Sequence, residues 1–256
     1  MWRGGELTSG QASHLRGVLS WLDSSFMGRP CRAALSALVA RQYYDDTTAI
    51  PEGSNLHASL RYLQAAVRYA PAVPVPLLAP PQPPIVVYTD ASLEDGRLRI
   101  GAKVLVPGRR PSVVVYDPSQ QVTAWWCGHS DHIINQGELL AAPVLASTVP
   151  ELLRARDILW FVDNRNAASA LVKAGSPTET MGRMALIATA ALTCLRTLVW
   201  TDWVPSDDNP ADPLSRGGLQ DPLVAPHVLS GAWEVVEPVP PKTHELDYES
   251  LWARMV

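Results

Sequence analysis

Two short apolar runs that each stop at an aspartate constrain this chain more than any other feature. Ile85-Val86-Val87-Tyr88-Thr89 stops at Asp90, and Ile158-Leu159-Trp160-Phe161-Val162 stops at Asp163. Five or six apolar residues make a buried strand, not a helix, and such runs are too apolar for an exposed edge. Both must lie inside a sheet covered by other elements. In an α/β sheet the strand ends are where ligand sites assemble. Adjacent parallel strands would bring the two carboxylates within about 5 Å of each other. Such a pair calls for a hard cation with oxygen ligands, since two close anions otherwise push a pKa up sharply.

The rest of the pattern builds the sheet. Strands are expected at Ile85–Thr89, Ile100–Val106, Ser112–Tyr116 and Gln121–Cys127, with short connections that imply an antiparallel meander. Helix, strand and helix follow at Gln136–Ala146, Asp157–Val162 and Arg165–Ala174. Then come a long helix over Thr178–Arg196, a strand at Leu198–Val204, and a short helix or turn over Pro210–Ser215. Strand–helix alternation requires parallel pairing through right-handed crossovers. The expected fold is an α/β mixed sheet, meander first and crossovers second, flanked by helices.

Upstream, residues 1–70 read as a small helical region. Leu15, Val18, Leu19 and Leu22 share one helical face; a break at Gly28-Arg29-Pro30 precedes Ala33, Leu35, Leu38 and Val39; Leu60, Leu63, Ala66 and Val67 mark a third helix. Residues 71–84 hold seven prolines and read as an extended linker. The domain proper spans 85–216, and residues 217–256 read as an irregular, acidic, proline-containing tail.

Two further acids have telling settings. Glu138 lies among Leu139, Leu140, Ala141 and Ala142, and Asp212 follows Asn209-Pro210-Ala211. Each acid also has a plainer reading: Asp90 as a turn residue, Glu138 on a helix surface, Asp163 and Asp212 as helix caps. Asp208 is the alternative to Asp212.

Thr89-Asp90-Ala91-Ser92, Gly101-Ala102, Gly137-Glu138-Leu139-Leu140-Ala141, Phe161-Val162-Asp163-Asn164, and the stretch from Trp203-Val204-Pro205-Ser206 through Asn209-Pro210-Ala211-Asp212-Pro213-Leu214-Ser215-Arg216 resemble the ribonuclease H domain of reverse-transcribing elements. The likeness is greatest to DIRS-like retrotransposon and pararetroviral polyproteins, and residues 11–70 resemble the thumb or connection region before that domain. The resemblance implies a mixed five-stranded sheet and two Mg²⁺ or Mn²⁺ ions held by Asp90, Glu138, Asp163 and Asp212. It implies hydrolysis of the RNA strand of an RNA–DNA hybrid, with a reverse transcriptase polymerase region as a partner. One ion would activate the attacking water and the other stabilise the leaving 3′ oxygen. Ser92, Asn164 and Arg165 are candidate substrate-side residues, with turn or helix-start roles as alternatives. The related domains often carry a histidine before the fourth acid, and none occurs between Asp163 and Asp212.

Composition permits this reading without demanding it. The net charge of −4 divides as +2 over residues 1–84, −2 over 85–216 and −4 over 217–256. Two divalent ions would turn the middle segment positive by about +2. Three cysteines without CxxC pairing exclude a zinc ribbon or disulfide framework and suit a reducing, intracellular setting. No apolar stretch is long enough for a membrane span. Tyr43-Tyr44-Asp45-Asp46 looks like a polymerase motif, but too little chain precedes it for a palm. The alternative to an enzyme is an inactive retroelement relic that binds nucleic acid or protein.

Overall fold

In the computed structural model, residues 5–24, 31–69, 82–127, 133–176 and 178–240 are described. The Gly28-Arg29-Pro30 break, most of the proline-rich linker and the end of the tail lie outside them. Three helices come first: α1 (Ser9–Ser24), α2 (Arg32–Tyr43) and α3 (Asn55–Tyr69). They share a core through Ala12, Leu19, Leu38, Leu60 and Leu63. Tyr43-Tyr44-Asp45-Asp46 ends α2 and is no hairpin: Asp45 accepts from the Thr47 amide at 3.0 Å and pairs with Arg41.

The second part holds β1 (Ile85–Glu94), β2 (Arg97–Leu105), β3 (Ser112–Tyr116), α4 (Gln120–Cys127), α5 (Ile134–Thr148), α6 (Pro150–Leu153), β4 (Asp157–Val162), α7 (Arg165–Lys173), α8 (Glu179–Cys194), β5 (Leu198–Trp203), α9 (Asp212–Arg216), α10 (Ala225–Leu229) and β6 (Glu234–Val235). The strand order is β5-β4-β1-β2-β3-β6. β1, β2 and β3 pair antiparallel, whereas β4 runs parallel to β1 and β5 parallel to β4. This is the expected mixed sheet, meander first and crossovers second. Strand alternation sends Ile85, Val87 and Ala91 to one face, where α5 and α8 cover them with Leu139, Leu140, Leu145 and Ala188. The outer side of α8 (Leu186, Ala190, Cys194) joins the core of the N-terminal helices. No helix among the described residues is long and apolar enough to cross a membrane.

Four expectations are corrected. The sheet has six strands, not five, because β6 pairs parallel with β3 at Ser112↔Glu234 and Val113↔Val235. The stretch from 217, expected to be irregular, carries α10 and β6, and its Leu219, Val224, Val228 and Trp233 pack on Val113 and Leu214. An edge strand with unpaired backbone offers the partner that makes these sparse apolar residues useful. The expected strand Gln121–Cys127 is helix α4. Ser119 begins it, accepting from the Val122 amide through Oγ at 3.3 Å and from the Thr123 amide through its carbonyl at 2.9 Å. Asp90, finally, does not end β1. The strand runs four residues further into a hairpin whose turn residues, Asp95 and Gly96, both have positive φ.

Candidate metal centre

Register explains why Asp90 and Asp163 meet. The parallel pairing of β1 with β4 ends at Thr89↔Val162, so Asp90 and Asp163 are the next pair in line, just where β4 stops. The sheet opens there, and the Ala91 amide donates to Glu138 Oε1 at 3.2 Å. Glu138 is brought in by α5, whose approach to the sheet depends on Gly137. A Cβ at Gly137 would stand 2.5 Å from Leu98 Cδ1 and 3.3 Å from Ala91 Cβ.

Asp212 arrives on α9 by a parallel device on β2. Gly101 pairs with Asp90, and a Cβ there would lie 2.5 Å from the Ser215 nitrogen and 2.7 Å from Leu214 Cβ. With no side chain at Gly101, α9 settles onto the strand and Ser215 Oγ donates to Asp90 Oδ2. Asn209, buried, donates to the Thr89 carbonyl at 3.0 Å and accepts from the Ala211 amide at 3.1 Å. Asn209 and Ser215 position the acids, although the sequence pattern alone assigns neither a role. Their signal was a small polar residue on either side of an acid in a short motif.

Asp90, Asp163 and Asp212 thus each offer an oxygen, and the three oxygens lie within 4.8 Å of one another. Glu138 stands outside that set but next to it, only 3 % exposed, with Oε2 buried and lacking a donor. Asp208 lies in the 3₁₀ turn Ser206–Asp208 and does not join the cluster. Burial, outweighing the Ser215 hydrogen bond, with Asp163 and Asp212 beside it, pushes the Asp90 carboxyl up to about 7. Burial and the charges of Asp90 and Asp163 push Glu138 well above the usual carboxylate range. Crowded oxygen donors with an orphaned buried oxygen fit a hard divalent cation, which would lower both values by supplying the missing charge.

The other candidates have structural partners. Asn164, not Asp163, caps α7: its Oδ1 accepts from the Asn166 and Ala167 amides at 3.0 Å each, and its Nδ2 donates to Asn135 Oδ1 at 2.8 Å. That leaves the Asp163 carboxylate uncommitted to capping. Ser92 Oγ donates to the Ser215 carbonyl at 2.6 Å, tying β1 to α9. Arg165 lies over the Trp203 ring, 4.3 Å from its centroid, while Trp203 Nε1 donates to the Asp163 carbonyl at 2.7 Å. Arg216 Nε donates to Asp212 Oδ1 at 2.9 Å.

No family model matches the chain, and no curated protein matches it. Among eleven solved chains that match is the crystal structure of RNase H1 from the halophilic archaeon Halobacterium salinarum NRC-1. It is 18% identical with a TM-score of 0.41, and the match covers 54% of this chain and 98% of that one.

Proposed function

We propose that this protein is a retroelement-derived nuclease that hydrolyses the RNA strand of RNA–DNA hybrids with two divalent ions. The observation that carries the reading is the convergence of Asp90, Asp163 and Asp212 beside a buried Glu138 whose second oxygen has no donor. Carboxylates assembled at this cost from β1, the end of β4, α5 and α9 suit Mg²⁺ or Mn²⁺ better than any role in the fold. When bound, such ions supply an activated water and charge stabilisation at the scissile phosphate.

The chain's own residues prepare that chemistry. Asp90 stands centrally and is held in place by Ser215. Glu138 lies deepest and fixes the open edge of β1 through the Ala91 amide. Asp163 is freed by Asn164, and Asp212 is delivered by the Asn209 tie. The N-terminal helical region and a reverse transcriptase polymerase region acting as partner would add substrate affinity, in keeping with the modest charge of residues 85–216.

The test is cleavage of a labelled RNA–DNA hybrid, with single-stranded RNA and double-stranded RNA and DNA as competitors. RNA-strand cleavage in Mg²⁺ or Mn²⁺ that vanishes in EDTA and in Asp90→Asn is expected. Tight hybrid binding with no cleavage under any divalent ion would instead favour a binding module.

A further inference from the structure

Arg216 stands four residues after Asp212 on α9, and its guanidinium pairs with the carboxylate of a candidate ligand. The backbone around it is fixed. Arg99 Nη1 donates to the Arg216 carbonyl at 2.8 Å, and Ser92 Oγ holds the preceding Ser215 carbonyl. The side chain is not fixed in that way: it is 61% exposed and borders an open cleft of about 850 Å³ that Ser92, Arg97 and Arg99 also line. The charge of Arg216 also reaches Asp90. An exposed ion pair of this kind is weak and gives way readily to a divalent cation competing for the same oxygen. A guanidinium released at the mouth of a cleft beside the reacting centre has the planar donor fork that suits a phosphate.

We propose that Arg216 is an exchangeable counter-ion. It neutralises Asp212 while no metal is bound, and it turns into the adjoining cleft to pair with a backbone phosphate of the nucleic acid once Asp212 serves as a ligand. The proposal rests on the hydrolase reading above, and it gives one residue opposite effects on two ligands. With Arg216 in place, metal alone binds more weakly because it must displace the guanidinium; nucleic acid binds more tightly because the guanidinium is then available.

The experiment measures Mn²⁺ affinity of the full chain by electron paramagnetic resonance without nucleic acid. Hybrid affinity is measured separately, by fluorescence anisotropy in Ca²⁺ at several salt concentrations. Arg216→Gln should tighten Mn²⁺ binding about 2- to 5-fold, weaken hybrid binding about 5-fold, and lower the salt slope by about one ion. Arg216→Lys should keep the salt slope and recover part of the hybrid affinity. If Arg216→Gln leaves both affinities unchanged, or weakens Mn²⁺ binding as a damaged helix would, the proposal is overturned while the hydrolase reading stands. If the wild-type chain binds no Mn²⁺, and Asp90→Asn is indistinguishable from it, both fall together.

Discussion

The N-terminal helical region and the open end of the sheet bury charge in opposite ways. In the helices, Arg41 is 2 % exposed, yet its Nη1 donates to the Thr47 carbonyl, its Nη2 donates to the Ala49 carbonyl at 2.6 Å, and Asp45 supplies the opposite charge. At the sheet end, Asp90 and Glu138 are about equally buried, but their nearest charged company includes other carboxylates. Only Arg216, on Asp212 at the rim, answers them with an ion pair among the described residues. The first arrangement closes a loop and serves the fold. The second costs stability and makes sense when a cation completes it. Burial of charge alone therefore does not set the candidate site apart; burial without a matching counter-charge does.

Exchanging the two losses breaks the comparison if it is wrong. Asp163→Asn should lower hybrid cleavage by at least about 100-fold with little change in melting temperature, as read from cleavage rates and a thermal melt on the same sample. Arg41→Ala should do the reverse. Losing a buried, paired cation costs roughly 3 kcal/mol, or about 5–10 °C in a chain of this size, with cleavage per folded molecule preserved.

The pH dependence of the metal-free protein sharpens the same contrast. The folded Asp90 carboxyl keeps its proton to about 7, against an ordinary value of 3.8. The native state therefore holds more protons than the unfolded chain between those values, and stability falls as pH rises through that window. In EDTA, the melting temperature should drop on the order of 5 °C between pH 4.5 and 7.5. Excess Mn²⁺ should remove the drop, and Asp90→Asn should flatten much of it.

Smaller effects probe how the acids are positioned. Gly101→Ala forces a methyl group against α9 and should cost about 1–3 kcal/mol, with cleavage falling about 10-fold as Asp212 and Ser215 shift. Ser92→Ala removes one hydrogen bond to α9, worth about 1 kcal/mol. It should lower the melting temperature by a few degrees and cleavage only a few-fold.

Much of the sheet was legible because its strands are short, apolar and bounded, and the strand pairs that bring Asp90 beside Asp163 follow from that pattern. What failed to show depended on partners remote in sequence. Ser215 and Asn209 are ordinary small polar residues until β1, more than a hundred residues earlier, supplies Asp90 and the Thr89 carbonyl. Asp163 and Asn164 are both plausible caps in sequence; only the backbone after β4 decides that Asn164 takes the α7 amides. The continuation of β1 past Asp90 was hidden because Asp90 itself has a plain reading as a turn residue, although Asp95-Gly96 carries the stronger hairpin signal. Helix α4 was mistaken for a strand because its aromatic and β-branched residues outweighed the cap at Ser119. Val224 and Trp233 gained partners from Val113 on β3, far away in sequence, as well as from Leu214 on α9.

The most direct test of the central claim is anomalous diffraction from crystals grown with saturating Mn²⁺. Manganese peaks are expected within coordination distance of Asp90, Asp163 and Asp212, with Glu138 Oε2 drawn into the same cluster or linked to it by an ordered water. An absence of manganese at the sheet end, with those four carboxylates unchanged and manganese bound elsewhere, would contradict it.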